Sequence, residues 1–168
     1  MKKILFICIG NSNIIGDSLG PLIGSFLQEY ANTILKNTKI EVQGTIENPI
    51  GYNRINKLEY NNNKYTNVII IDSALGNEKN IGKVLIDTSY LYAGNGTNDG
   101  KRLEGDIIIR GIVGKNHHNT KRNISELLQV NTHIIEQTAT KIITTIISWL
   151  VVENKYKNNI NGNTSYIR

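Results

Sequence analysis

The chain has 168 residues, a net charge of +5 and one cysteine, Cys8. That length suits one domain with a sizeable core, and a lone cysteine excludes an internal disulfide framework or a cysteine-based zinc cluster. The bases are scattered, with small clusters at Lys101-Arg102 and Lys121-Arg122 and no basic stripe interleaved with aromatics, so no nucleic-acid partner is indicated; no apolar run approaches the roughly 18 residues of a membrane span, so no membrane partner is expected.

Met1-Lys2-Lys3 and the short apolar run behind it resemble a signal peptide only superficially. Asn-rich polar sequence follows, with no small-residue cleavage site, so residues 3–9 read as a buried strand of a cytoplasmic protein. Cys8 inside that run reads as a buried structural thiol. Residues 19–36 carry Leu22, Ile23, Phe26, Leu27, Tyr30 and Leu35 on one helical face. Residues 39–44 form a shorter strand, which leads through Thr45-Ile46-Glu47-Asn48-Pro49, turn-like because Pro49 disfavours helix at Asn48. A short helix over 51–58 and a polar loop at Asn61-Asn62-Asn63 come next.

Residues 67–71 form a strong buried strand that ends at Asp72, and 83–87 form another strand. The Gly/Asn/Lys-rich stretch 93–105 reads as a mobile excursion, and 106–113 as a β-branched strand. Residues 114–122 form a polar loop holding His117 and His118. Asn123 and Glu126 then have the spacing of a capping box that opens a helix. The final helix opens at Thr132, with apolar pairs every four residues as far as Leu150/Val151. From Glu153 the periodicity stops, which marks 1–153 as a single α/β domain and 154–168 as a disordered tail. Alternation of strands and helices predicts a three-layer α/β/α sandwich with a mostly parallel sheet. A strand order beginning 2-1-3 places a crevice between the first and third strands.

The first strand runs into Gly10-Asn11-Ser12-Asn13-Ile14-Ile15-Gly16-Asp17. A phosphate cradle would need Gly-x-x-x-x-Gly-Lys; here five residues separate the glycines and Asp17 stands where the lysine belongs, so nucleotide binding is excluded. Asp17 alone would read as a helix cap. Set opposite Asp72 across the crevice, it becomes half of a carboxylate pair. Such a pair can share a proton and serve as general acid and base, or hold a divalent metal that activates water. His117 and His118 read as exposed, although one imidazole could complete a zinc or nickel site with Asp17 and Asp72. Glu47 is another acidic side chain near a strand end.

Four segments carry a more specific likeness: Gly10-Asn11 with Gly16-Asp17-Ser18-Leu19-Gly20-Pro21; Gly44-Thr45-Ile46-Glu47-Asn48-Pro49; Ile71-Asp72-Ser73-Ala74-Leu75-Gly76; and Gly105-Asp106 with Gly111-Ile112-Val113. In this order they resemble the YyaC-type sporulation proteins, a spore-protease group related to the germination protease and to the hydrogenase maturation endopeptidases. The resemblance implies a three-layer α/β sandwich with a mostly parallel sheet and a peptidase, a hydrolase of sporulating cells or spores, acting on a spore protein or peptide. It carries the catalytic positions onto Asp17 and Asp72, and substrate contacts onto Asn11, Gly44, Thr45 and Glu47. The maturation endopeptidases further imply a nickel or zinc ion held by Asp17, Asp72 and His118; the germination protease implies no cofactor. Ile124-Ser125-Glu126-Leu127 is similar to the segment that follows the metal-binding histidine of the maturation enzymes, but its spacing from His118 departs from theirs. A non-catalytic sporulation factor that binds a peptide or a metal is the alternative.

Overall fold

The run from Ile4 to Ile9 has no polar face, so it is stable only where both sides of a sheet are covered. The computed structural model describes residues 3–33, 39–88, 90–93 and 101–163. In chain order its elements are β1 (Lys3–Cys8), a 3-10 turn over Ile15–Asp17, α1 (Leu19–Thr33), β2 (Lys39–Gln43), α2 (Tyr52–Ile55), β3 (Asn67–Gly76), β4 (Val84–Asp87), β5 (Tyr90–Ala93), β6 (Lys101–Glu104), β7 (Ile107–Lys115), α3 (Thr120–Gln129) and α4 (Thr132–Asn163). The main sheet has the order β2-β1-β3-β7-β4. Its first four strands are parallel and β4 runs antiparallel against β7. The expected 2-1-3 beginning and the mostly parallel sheet are both present.

Alternate residues of β1 feed two separate cores. Ile4, Phe6 and Cys8 pack with Leu19, Ile23 and Leu27 of α1 and with Ile135, Ile142 and Ile146 of α4. Leu5, Ile7 and Ile9 face the other way, onto Ile50, Ile55 of α2, Leu91 and Leu103. Complete burial of a side chain of this size contributes about 1.5–3 kcal/mol, so a central strand buried on both faces anchors the whole sandwich. The second outer layer is therefore not a pair of long helices. It is the short α2 together with the β5–β6 hairpin.

The hairpin corrects the reading of 93–105 as an excursion. Leu91, Ala93 and Leu103 turn inward while Tyr90, Tyr92 and Arg102 stay exposed, an alternation too short to stand out against the polar composition. Residues 94–100 of that stretch lie outside the described residues, as do 34–36 of the first expected helix and 164–168 of the expected tail. Helix α4 continues to Asn163, beyond the end of its apolar periodicity. The polar loop of 114–122 is shorter than expected, because α3 starts at Thr120 with Asn119 as its N-cap and not at Asn123. Asn119 Oδ1 accepts the Arg122 N–H at 3.1 Å. Asn123, inside the helix, accepts the His117 N–H at 2.8 Å.

Two glycines set how closely α1 lies on the sheet. A Cβ on Gly24 would stand 1.9 Å from the Gly44 carbonyl oxygen, and one on Gly44, whose φ is +90°, would stand 1.9 Å from that of Cys8. Helix α1, the end of β2 and β1 are thus stacked backbone on backbone. Gly24→Ala is expected to destabilise the protein by about 2–4 kcal/mol, as overpacking against a rigid backbone does. Gly51→Ala, where the nearest atom would be 3.6 Å from the new Cβ, is expected to change stability by less than about 0.5 kcal/mol. Urea denaturation of both variants checks the contrast.

Candidate active site

A parallel sheet buried on both faces leaves its strand ends as the places where polar side chains can gather. Asp17 and Asp72 gather there from neighbouring strands. β1 ends at Cys8, and the chain turns at Gly10, whose φ is +145° and whose Cβ would fall 2.0 Å from the Asp17 carbonyl oxygen. Only glycine lets the loop close so tightly. The Asn11 N–H then donates to that carbonyl at 3.0 Å. From the outside, α3 presses on the 3-10 turn: a Cβ on Gly16 would lie 2.8 Å from Val130 and 2.9 Å from Leu127.

Asp72 lies within β3, not at its end. The apolar run stops at Ile71, but the ladder to β7 continues to Gly76 past an irregularity between Ala74 and Leu75. Asp72 is aligned with Arg110 of β7. The next residue, Ser73, reaches the other way, and its hydroxyl donates to Asp17 Oδ1 at 3.4 Å. Ser73 therefore links the two strand ends.

Both carboxyls are partly buried, and both are harder to ionise than an ordinary aspartate. Asp72 is pushed up to about 8, first by loss of water and then by the negative charge of Asp17; the Ser73 N–H and the Arg110 guanidinium oppose the shift. Asp17 is pushed up to about 6 by loss of water, against the Asn11 N–H and the Ser73 hydroxyl. Near neutral pH the pair then carries one proton between two carboxyls.

Arg110 would lower Asp72 further if it turned fully toward it. Its guanidinium instead bonds the Asp87 carboxylate on β4. Its Nε is buried and unpartnered among the described residues. The positive charge is thus drawn toward the sheet edge, and Arg110 opposes the rise of Asp72 without cancelling it.

His118 does not complete a metal site with the pair. It is exposed and left-handed, with φ 52°, and its N–H donates to Asn116 Oδ1 at 2.8 Å. Among the described residues no three His, Cys, Asp or Glu side chains stand together as a metal would require. The residues present therefore do not fit the nickel or zinc centre that the resemblance implied. The neighbouring His117 is engaged with Glu126 of α3, Nε2 to Oε2 at 3.0 Å. Glu126 also accepts the Lys115 N–H at 2.9 Å, and these donors hold its carboxyl below the usual range. Glu126, expected as a helix cap, ties α3 to the end of β7.

The expected substrate contacts separate from the aspartates. Gly44, Thr45 and Glu47 line a cleft of about 700 Å³ beside β2, together with Ile50, Arg54 and Lys57; neither aspartate lines it. Asn11 stays with the loop, where its Oδ1 accepts the Asn13 N–H at 3.0 Å. The two regions are joined through backbone, because the Gly10 N–H donates to the Ile50 carbonyl at 3.0 Å. Sequence reasoning overlooked Ser73 and Arg110. The signal for Ser73 was a hydroxyl directly after Asp72, and for Arg110 a charge inside an Ile-rich strand.

A family model described as "Protein of unknown function (DUF1256)" matches residues 1–146, and the chain belongs to that family. A curated relative from Bacillus subtilis (strain 168), the uncharacterized protein YyaC, is 34% identical over 115 residues, which cover 67% of this chain and 54% of the relative. The chain spans about half the length of that relative. No helix among the described residues is long and apolar enough to cross a membrane.

Carboxyls raised on folding stabilise the native state below their unfolded pKa near 4, and that contribution is lost as pH rises through about 6 and about 8. Asp72→Asn keeps the shape and removes one ionisation. Its stability relative to the parent is expected to rise between pH 4 and pH 9, by a margin on the order of 5 kcal/mol. Denaturant melts across that range test this; a pH-independent difference would contradict it.

Proposed function

We propose that this DUF1256-family protein is an endopeptidase-like hydrolase in which Asp17 and Asp72 act on water and a peptide bond as a general base and a general acid. The reading is carried by two partly buried carboxyls, Asp17 in the loop after β1 and Asp72 within β3, near enough for the charge of one to raise the other, with the Ser73 hydroxyl donating to Asp17 and its N–H to Asp72. The resemblance of the Gly16–Pro21 and Ile71–Gly76 segments to spore proteases supports a spore protein as substrate. The corresponding setting is the cytoplasm of a sporulating cell or the spore.

Asp17 ionises more readily, so near neutral pH it is the base and Asp72 holds the proton. Water adds to the scissile carbonyl carbon and gives a proton to Asp17, while Asp72 protonates the carbonyl oxygen. The tetrahedral diol then breaks its C–N bond. Asp17 delivers its proton to the leaving amine, and the diol hydroxyl returns a proton to Asp72. Each carboxyl ends as it began, and each transfer is of the kind a positioned acid or base accelerates by about 10²–10⁴-fold.

A second reading, a peptide-binding factor that does not cut, is favoured by the separation of the cleft from the pair. Incubation with spore proteins of the same organism distinguishes the two. The parent protein is expected to produce defined fragments, and Asp17→Asn and Asp72→Asn to slow their appearance by at least about 100-fold. The rate is expected to follow a bell with limbs near pH 6 and pH 8. Equal cleavage by all three proteins would sink the paired mechanism; binding without cleavage would support the second reading.

A further inference from the structure

β2 is an outer strand of the main sheet, and β1 pairs with its inner side. In a parallel ladder, alternate N–H and C=O groups of such a strand point outward, and among the described residues no strand takes them up. Unpaired groups on a partly buried edge strand are open to pairing with another chain, and this edge lies along a cleft.

The cleft straddles this edge. Gln28 lines it from α1, on one face of the sheet; Lys57, Leu58 and Glu59 line it from the α2 side, on the other; Gln43 and Thr45 lie at the edge itself. Its volume of about 700 Å³ falls within the range of ligand-binding clefts. Its walls carry both charge signs, on Lys57 and Glu59. Above it, the Thr45–Asn48 turn is closed by two backbone bonds of 3.2 and 3.3 Å and tied to α1 by the Ile46 N–H on Ser25 Oγ at 2.9 Å. At its inner end Ile50 accepts the Gly10 N–H at 3.0 Å, and Gly10 opens the loop that carries Asp17.

We propose that an extended, polar segment of the protein substrate docks as an added β-strand on the outer edge of β2, with its chain continuing past Ile50 and Gly10 to the aspartate pair. This inference rests on the peptidase reading and names how that substrate is held. Backbone pairing supplies affinity whatever the side chains, and the cleft walls select a polar sequence.

The test uses the full chain carrying both Asp17→Asn and Asp72→Asn, so that binding is read without cleavage. A random dodecapeptide library displayed on phage is panned on it, and an enriched peptide is synthesised. That peptide is expected to slow amide hydrogen exchange in β2. Methylation of its backbone nitrogens one at a time should weaken binding about tenfold at every second position and little at those between. Gln28→Trp, at an exposed helix position, should weaken binding about tenfold by filling the cleft. The inference is overturned if no peptide is enriched over an unrelated control protein, or if protection falls on another surface. It is also overturned if methylation acts without alternation, or if β2 becomes protected with protein concentration alone, which would mark the edge as a contact between copies. Cleavage by the parent protein is scored separately, so a failed strand addition leaves the catalytic pair intact, and an inert pair leaves the docking result standing.

Discussion

Two partly buried carboxylates close enough to feel each other's charge are costly to ionise together, and the fold accepts this penalty near the crevice between β1 and β3. Every element nearby serves to hold the pair in place. Gly10 lets the loop fold back on Asp17, and α3 presses on that loop through Gly16. The β3–β7 ladder continues past Asp72 and fixes its direction. Asp87 draws the Arg110 guanidinium toward β4, so the nearest cation lessens the penalty without cancelling it. A strong ion pair at Asp72 would be a cheaper way to bury it, and it would remove the acid.

In the proposed function the same sheet separates chemistry from recognition. β1 and β3 are covered on both faces, and the two carboxyls lie in the loop after β1 and within β3. β2, one step away, keeps an outer edge and a cleft. The two regions communicate through the Gly10–Ile50 backbone bond and share no side chain. Substitutions in the cleft and at the aspartates can therefore be studied independently, in keeping with the near-additivity of separated sites.

Much of this was legible in the residues. The uninterrupted apolar runs ending at Ile9 and Ile71 marked parallel strands buried on both faces, and the acidic residues that follow them, Asp17 and Asp72, marked the candidate site. The β5–β6 hairpin was not legible, because only Leu91, Ala93 and Leu103 turn inward and a polar stretch divides them. The start of α3 was misplaced because Asn119 and Asn123 are both good caps, and tertiary bonds to His117 and Asn116 claim Asn123 for the loop. His118 was offered as a ligand by the resemblance and by the chemistry of imidazole. Its left-handed backbone and its failure to cluster with the pair among the described residues are properties of the folded loop.

The central claim is that Asp17 and Asp72 share one proton near neutral pH. Carbon NMR of the aspartate side-chain carboxyls, followed from pH 3 to pH 10 and assigned with the two Asn variants, measures it directly. The account predicts one carboxyl titrating near 6 and its neighbour near 8. It also predicts that the upper midpoint falls when Asp17 is replaced by Asn, because the charge that raises it is gone. Two independent midpoints near 4, unchanged by replacement of the partner, would contradict the account.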